Sequence, residues 1–123
     1  MARDFERTRR VGEQIQRELS ELIRREVKDP RLGMVTITAV DVSKDFAIAR
    51  VYLTVLGKER EAANADVEVL NQAAGFLRRE LGKHIRLRFT PKLQFLYDES
   101  IESGAHLASL IESVSTTDKS SDE

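Results

Sequence analysis

One apolar stripe constrains this chain more than any other feature. Ala63, Val67, Leu70, Ala74, Leu77, Leu81 and Ile85 follow one another at steps of 4, 3, 4, 3, 4 and 4. That is the spacing of one face of a helix. The stripe spans roughly Arg60 to Arg86 and passes through Gly75 and Gly82 without a break. Glycine inside a helix costs about 1 kcal/mol relative to alanine. The spacing therefore predicts a long helix kinked at Gly75, with both halves packed on the same core.

The flanking segments supply the rest of the domain. Val11, Ile15, Leu19, Leu22 and Ile23 share one face of a helix over about Phe5 to Val27. Asp29-Pro30 ends it, because proline disfavours helical geometry in the residue before it. Val35 and Ile37 then alternate on one parity, and Val40 and Val42 on the other. A side-chain period of 2 cannot absorb that change without an extra residue, so a bulge is expected near Ala39-Val40. Ser43-Lys44-Asp45 reads as a hairpin turn into a second strand, Phe46 to Leu56, with Val51, Leu53 and Val55 inward. Pro91 suits the position that opens a third strand, Lys92 to Tyr97. Asp98 is a candidate cap for a last helix over Glu99 to Val114. The expected class is α+β, in the order helix, strand, strand, kinked helix, strand, helix, with helices covering one face of a three-stranded sheet.

Composition narrows the chemistry. A chain of 123 residues fits one domain, expected over residues 1–114. Residues 115–123 hold no apolar side chain and read as a disordered polar tail. The chain has no cysteine. That excludes disulfides, thiol nucleophiles and cysteine-zinc sites, and points to an intracellular setting. Apolar runs such as Phe46-Ala47-Ile48-Ala49 are too short to span a membrane. The amino terminus carries charge where a signal peptide needs an apolar stretch.

The net charge is −1, but its distribution is uneven. Residues 72–92 carry six basic side chains and one acidic; residues 93–123 carry one basic and seven acidic. On a helix, Leu77, Leu81 and Ile85 face inward and Arg79, Lys83 and Arg86 face out, with Gly75 and Gly82 on the cationic side. Cations together with bare backbone suit phosphate recognition. Arg78, Arg88 and Lys92 add charge nearby, His84 joins the same face, and only Glu80 opposes them. The plainer alternative is a solvated helix face. The first helix shows what that looks like: Glu6/Arg10, Glu13/Arg17 and Glu21/Arg25 are all spaced to pair at i,i+4. The cations of 72–92 mostly lack such partners, which favours a polyanion site there. Ala73-Ala74-Gly75, just before them, resembles the small-residue loop by which KH domains clamp a nucleic-acid backbone.

Catalytic signals are sparse. His84 and His106 show no metal-ligand spacing. Phosphate-loop, dinucleotide and serine-elbow motifs are absent. Phe76, Phe89, Phe95 and Tyr97 read first as core and only second as stacking platforms. A non-enzymatic binding domain without cofactor or metal is expected. A protein-binding module meeting an acidic partner is the reading of a different class.

The assembled pattern closely resembles the bacterial ribosome-binding factor A family. The carrying segments are Arg17-Glu18-Leu19, Val27-Lys28-Asp29-Pro30-Arg31-Leu32, Val35-Thr36-Ile37-Thr38 and Ala73-Ala74-Gly75-Phe76-Leu77-Arg78. Leu81-Gly82-Lys83, Arg86-Leu87-Arg88, Pro91-Lys92-Leu93-Gln94-Phe95 and Asp98 complete the set. Together they cover about residues 3–113. The resemblance implies a single type II KH-like domain whose usual Gly-x-x-Gly loop is replaced by an Ala-x-Gly kink, here Ala73-Ala74-Gly75. It implies a non-catalytic, cytoplasmic assembly factor that binds the free or immature 30S subunit and 16S rRNA. It further implies roles in late 30S maturation, 16S rRNA 5′-end processing and cold adaptation, release by a small-subunit assembly GTPase, and action as a monomer. Joining that kink to the cationic face read above, the expected RNA-binding set is Ala73, Ala74, Gly75, Arg78, Arg79, Gly82, Lys83, His84, Arg86, Arg88 and Lys92. A KH-like binder of other RNA, without ribosome specificity, is the alternative.

Overall fold

The computed structural model describes residues 2–100. The elements are α1 (Ala2–Glu26), β1 (Val35–Val42), β2 (Ile48–Val55), α2 (Arg60–Gln72), α3 (Ala74–His84) and β3 (Lys92–Tyr97). The expected last helix, apart from Glu99 and Ser100, lies outside the described residues, as do His106 and the tail.

The strands form one sheet in the order β1-β2-β3. β1 pairs with β2 antiparallel, and β2 with β3 parallel. Ile37 faces Leu53 and Val40 faces Val51, so β1 spends three steps where β2 spends two. The bulge therefore lies between Ile37 and Ala39, at Thr38 and not at Ala39-Val40. It brings Val35, Ile37, Val40 and Val42 to a common face despite their mixed parity. The Thr38 hydroxyl donates to the Asp98 carboxylate and lies 3.3 Å from the Tyr52 carbonyl oxygen.

The sheet buries that face beneath the helices. Ala49, Val51, Leu53 and Val55 of β2 and Leu93 and Phe95 of β3 meet Ile15, Leu19 and Leu22 of α1 and Leu70, Leu77 and Leu81 of the α2–α3 pair. α1 lies close against β1: a Cβ added at Gly12 would come within 2.8 Å of the Val40 carbonyl oxygen. Gln16 donates to the Ile37 carbonyl at 2.9 Å on the same seam. β3 is an edge strand, and the Asn71 amide covers part of that edge. Its carbonyl accepts the Phe95 N–H at 2.8 Å and its NH₂ donates to the Phe95 carbonyl at 3.1 Å. Both polar groups of that residue are thus satisfied away from the sheet.

Two loops are held by carboxylates. Asp29 accepts from the backbone N–H of Arg31 at 2.9 Å and from its guanidinium at 2.7 Å and 3.1 Å. The side-chain bond, followed by the backbone one, lowers its pKa to about 2. Asp66 on α2 is fully buried. It accepts the Gly33 N–H at 2.7 Å and the Lys58 ammonium at 2.8 Å. Burial pushes its carboxyl up, but the hydrogen bonds from Lys58 and Gly33 and the Lys58 charge together hold it below the usual carboxylate range. This clasp joins α2 to the loops before β1 and after β2.

Candidate nucleic-acid interface

The expected single kinked helix is two helices, and they part at Ala73 instead of Gly75. Ala73 has φ −90° and ψ 2°. Its N–H is shared between the carbonyls of Val69 and Leu70, each at 3.1 Å. A bond to i−3 as well as i−4 tightens the last turn and redirects the chain. Its carbonyl accepts the Leu77 N–H at 2.9 Å, opening α3. Ala73 and Ala74 pack against the core, which leaves Gly75 exposed in the first turn of α3. A Cβ there would meet only the Arg79 guanidinium, at 4.0 Å. The backbone at Gly75 is thus open to close approach from solvent.

Gly82 differs. A Cβ there would lie 3.0 Å from the Thr90 hydroxyl, so this glycine, although exposed, also seats α3 against the segment entering β3. Arg78 strengthens the same contact, its Nε donating to the Thr90 carbonyl at 2.9 Å. Lys83 pairs with Glu80 at 3.1 Å, an exposed ion pair of small net value. The His84 Nδ1 donates to the Glu80 carbonyl at 2.9 Å. Arg79, Arg86, Arg88 and Lys92 are exposed and form no ion pair among the described residues.

Arg86 departs from its expected place. α3 ends at His84, and Ile85 is extended at φ −119° and ψ 130°. Arg86 therefore leaves the helical array of Arg79 and Lys83. With Arg88 it turns towards α1, where Arg7 and Arg10 line the same cleft. The cationic surface thus has two parts, the exposed face of α3 with Arg79 and Lys83 and the cleft beyond its carboxyl end.

The ion pairs of α1 also differ from expectation. Arg9 bridges Glu6 at 2.8 Å and Glu13 at 3.0 Å, Arg24 pairs with Glu21, and Arg25 with Glu26 at 3.3 Å. Glu6/Arg10, Glu13/Arg17 and Glu21/Arg25 do not form. The Arg9 hydrogen bond and charge lower the Glu6 pKa, and Arg10 adds a smaller effect. Among the described residues, Arg10 itself forms no ion pair. Among the aromatics, Phe95 is core as read, Tyr97 is half-buried, and Phe76 and Phe89 are exposed, Phe89 by 68%.

Among the described residues, no three His, Cys, Asp or Glu lie together as metal ligands. No described helix is long and apolar enough to cross a membrane.

The family model "Ribosome-binding factor A" matches residues 7–111. The chain belongs to the ribosome-binding factor A family. It is similar to the ribosome-binding factor A of Pseudomonas fluorescens, 57% identical over 113 residues, covering 91% of this chain and 85% of that protein. It is similar to a solution structure from Thermotoga maritima described as a putative ribosome-binding factor A: TM-score 0.65, 38% identity, coverage 76% of this chain and 88% of that one. The Thermus thermophilus ribosome-binding factor A, as a homology model fitted into a cryo-EM map of a 30S complex, gives TM-score 0.59 and 32% identity. It covers 71% of this chain and 90% of that one. The α+β architecture with a three-stranded sheet is thus the family's own.

Proposed function

We propose that this chain is a non-catalytic assembly factor of the small ribosomal subunit, binding the free or immature 30S particle through 16S rRNA. The observation that carries the reading is the surface of α3. Open backbone at Gly75 sits one turn from the exposed guanidinium of Arg79, beside a helix break made of small residues. The Thermus relative fitted into a 30S complex supplies the partner. The element order from α1 to β3 agrees with a type II KH-like domain, with Ala73-Ala74-Gly75 standing where that fold carries its Gly-x-x-Gly loop. Phosphates approach Gly75 and are neutralised by Arg78, Arg79 and Lys83, while Arg86, Arg88 and Lys92 extend the contact along the chain. His84 and Gly82 belong to the same face, Gly82 through its packing on Thr90.

The bound domain holds an immature rRNA conformation and keeps the subunit from premature use. On this reading the protein acts as a monomer in the cytoplasm during late 30S maturation and 16S rRNA 5′-end processing, with a part in cold adaptation. An assembly GTPase releases it.

The test is sedimentation of the full chain with purified 30S, 50S and 70S particles across a salt series. Five phosphate contacts at a slope of roughly −0.7 each give a loss of about 100-fold between 50 and 200 mM salt. Arg79→Glu with Lys83→Glu removes about two contacts and flattens the slope accordingly. Binding confined to 30S particles supports the reading. No 30S binding at any salt refutes it, and RNA binding without subunit preference would favour the general KH-like alternative.

A further inference from the structure

The cleft at the far end of α3 has a chemistry that the helix break lacks. It is about 450 Å³ and joins three stretches distant in sequence: Arg7 and Arg10 on α1, Phe46 in the β1–β2 turn, and Arg86, Arg88 and Phe89 between α3 and β3. Among the described residues, none of the four guanidinium groups forms an ion pair. Asp45 is the one carboxylate in the lining, and it is committed elsewhere. Its Oδ1 accepts the Ser43 hydroxyl at 2.7 Å and the Ala47 N–H at 3.0 Å, closing the turn. Four like charges around one cavity repel, and an anion with several oxygens relieves that repulsion through planar, forked hydrogen bonds.

The aromatic residues give the second half of the recognition. The Phe46 ring is already in use, with the Arg7 guanidinium 5.6 Å from its centroid, within cation–π range. Its backbone sits at φ 61°, a region bulky residues rarely occupy. The turn thus accepts strain where it holds this ring beneath Arg7. Among the described residues, no cation lies over the Phe89 ring, which is 68% exposed. An exposed aromatic beside unpaired arginines offers a stacking surface and phosphate ligands together, the pairing by which single-stranded nucleic acid is bound. An acidic peptide would answer the arginines and leave Phe89 unused.

We propose that this cleft holds one unpaired nucleotide of single-stranded RNA, with phosphate against Arg7, Arg10, Arg86 and Arg88 and the base stacked on Phe89. The proposal rests on the RNA-binding reading above and adds a second contact beyond the helix break. The chain then contacts RNA both on α3 and beyond its carboxyl end.

The test is fluorescence anisotropy of 5′-fluorescein-labelled hexauridylate with the full chain, alongside 30S sedimentation of the same samples. Phe89→Ala and the double variant Arg7→Gln/Arg10→Gln change only exposed side chains, and circular dichroism verifies their folding. Phe89→Ala is expected to weaken hexauridylate roughly tenfold. The arginine pair is expected to reduce the logarithmic salt slope by about 1.4. Parent-like affinity in both variants overturns the proposal, as does failure of the parent to bind hexauridylate. So does competition by polyglutamate equal to that of unlabelled oligonucleotide, with no effect of Phe89→Ala, which would mark a site for acidic peptide. Failure of the assembly-factor reading looks different: 30S particles are not bound, while hexauridylate still depends on Phe89.

Discussion

Gly75→Ala separates the stability of the domain from its proposed grip on RNA. Gly75 is the second residue of α3, and a Cβ there meets only a flexible guanidinium at 4.0 Å. No clash opposes the substitution. Alanine reduces the entropy of the unfolded chain and favours the helix, an effect of about 1 kcal/mol in a helix interior and about half that in the first turn. The expected gain is about 0.5 kcal/mol, or roughly 2–4 °C in Tm for a domain of this size. The same methyl group occupies the space through which a phosphate would reach the backbone. Thermal unfolding by circular dichroism and 30S sedimentation at fixed salt read the two effects separately. A more stable protein with weakened 30S binding is the expected pair of results. A destabilised Gly75→Ala would refute the claim that the break needs no glycine, and unchanged binding would refute the role given to open backbone.

Two further outcomes follow from the packing. Asp66→Asn keeps an acceptor for Gly33 but removes the carboxylate from Lys58, which is one-third exposed and can regain water. The expected loss at pH 7 is about 1–2 kcal/mol by urea denaturation. Because the folded pKa of Asp66 is depressed, the wild-type advantage is full above the unfolded value of about 4 and fades as pH falls below it. An advantage that persists undiminished at acid pH would contradict the clasp. Gly12→Ala drives a Cβ against a main-chain carbonyl at 2.8 Å and is expected to cost about 1–3 kcal/mol; a neutral result in the same assay would show that α1 can slide on β1.

Much of the fold was legible because it is written in periodicity. The parity change from Ile37 to Val40 demanded an extra residue, but any position between them produces the same apolar pattern, so only the backbone pairing places the bulge at Thr38. The stripe from Ala63 to Ile85 is equally silent about the break at Ala73. The second helix resumes in phase, and both alanines fit the core face. Ile85 likewise continues the stripe after α3 has ended, which hid the departure of Arg86. On α1, Arg9 lies three residues from Glu6 and four from Glu13, so it satisfies both spacings at once and displaces the expected partners. Asp66 gave no local sign of burial, since its partners stand 8 and 33 residues away. The cleft was illegible for the same reason: its arginines come from opposite ends of the domain, and Phe89 reads as core until the loop holding it is placed.

The pairing of β2 with β3 has a consequence for the order in which the molecule comes together. β1 and β2 are joined by five residues, whereas β2 and β3 are separated by 36. Closing the longer loop costs about 1.8 kcal/mol more entropy than closing the shorter. A β-hairpin of β1 and β2 can therefore form early and locally, but the parallel edge waits for α2 and α3 to fold back across the sheet. Asn71 and Phe95 meet only at that last closure. Arg79, Arg86, Arg88 and the helix break all lie within the crossover, so a nascent chain carries the cations of α1 long before it carries the folded face proposed to read RNA.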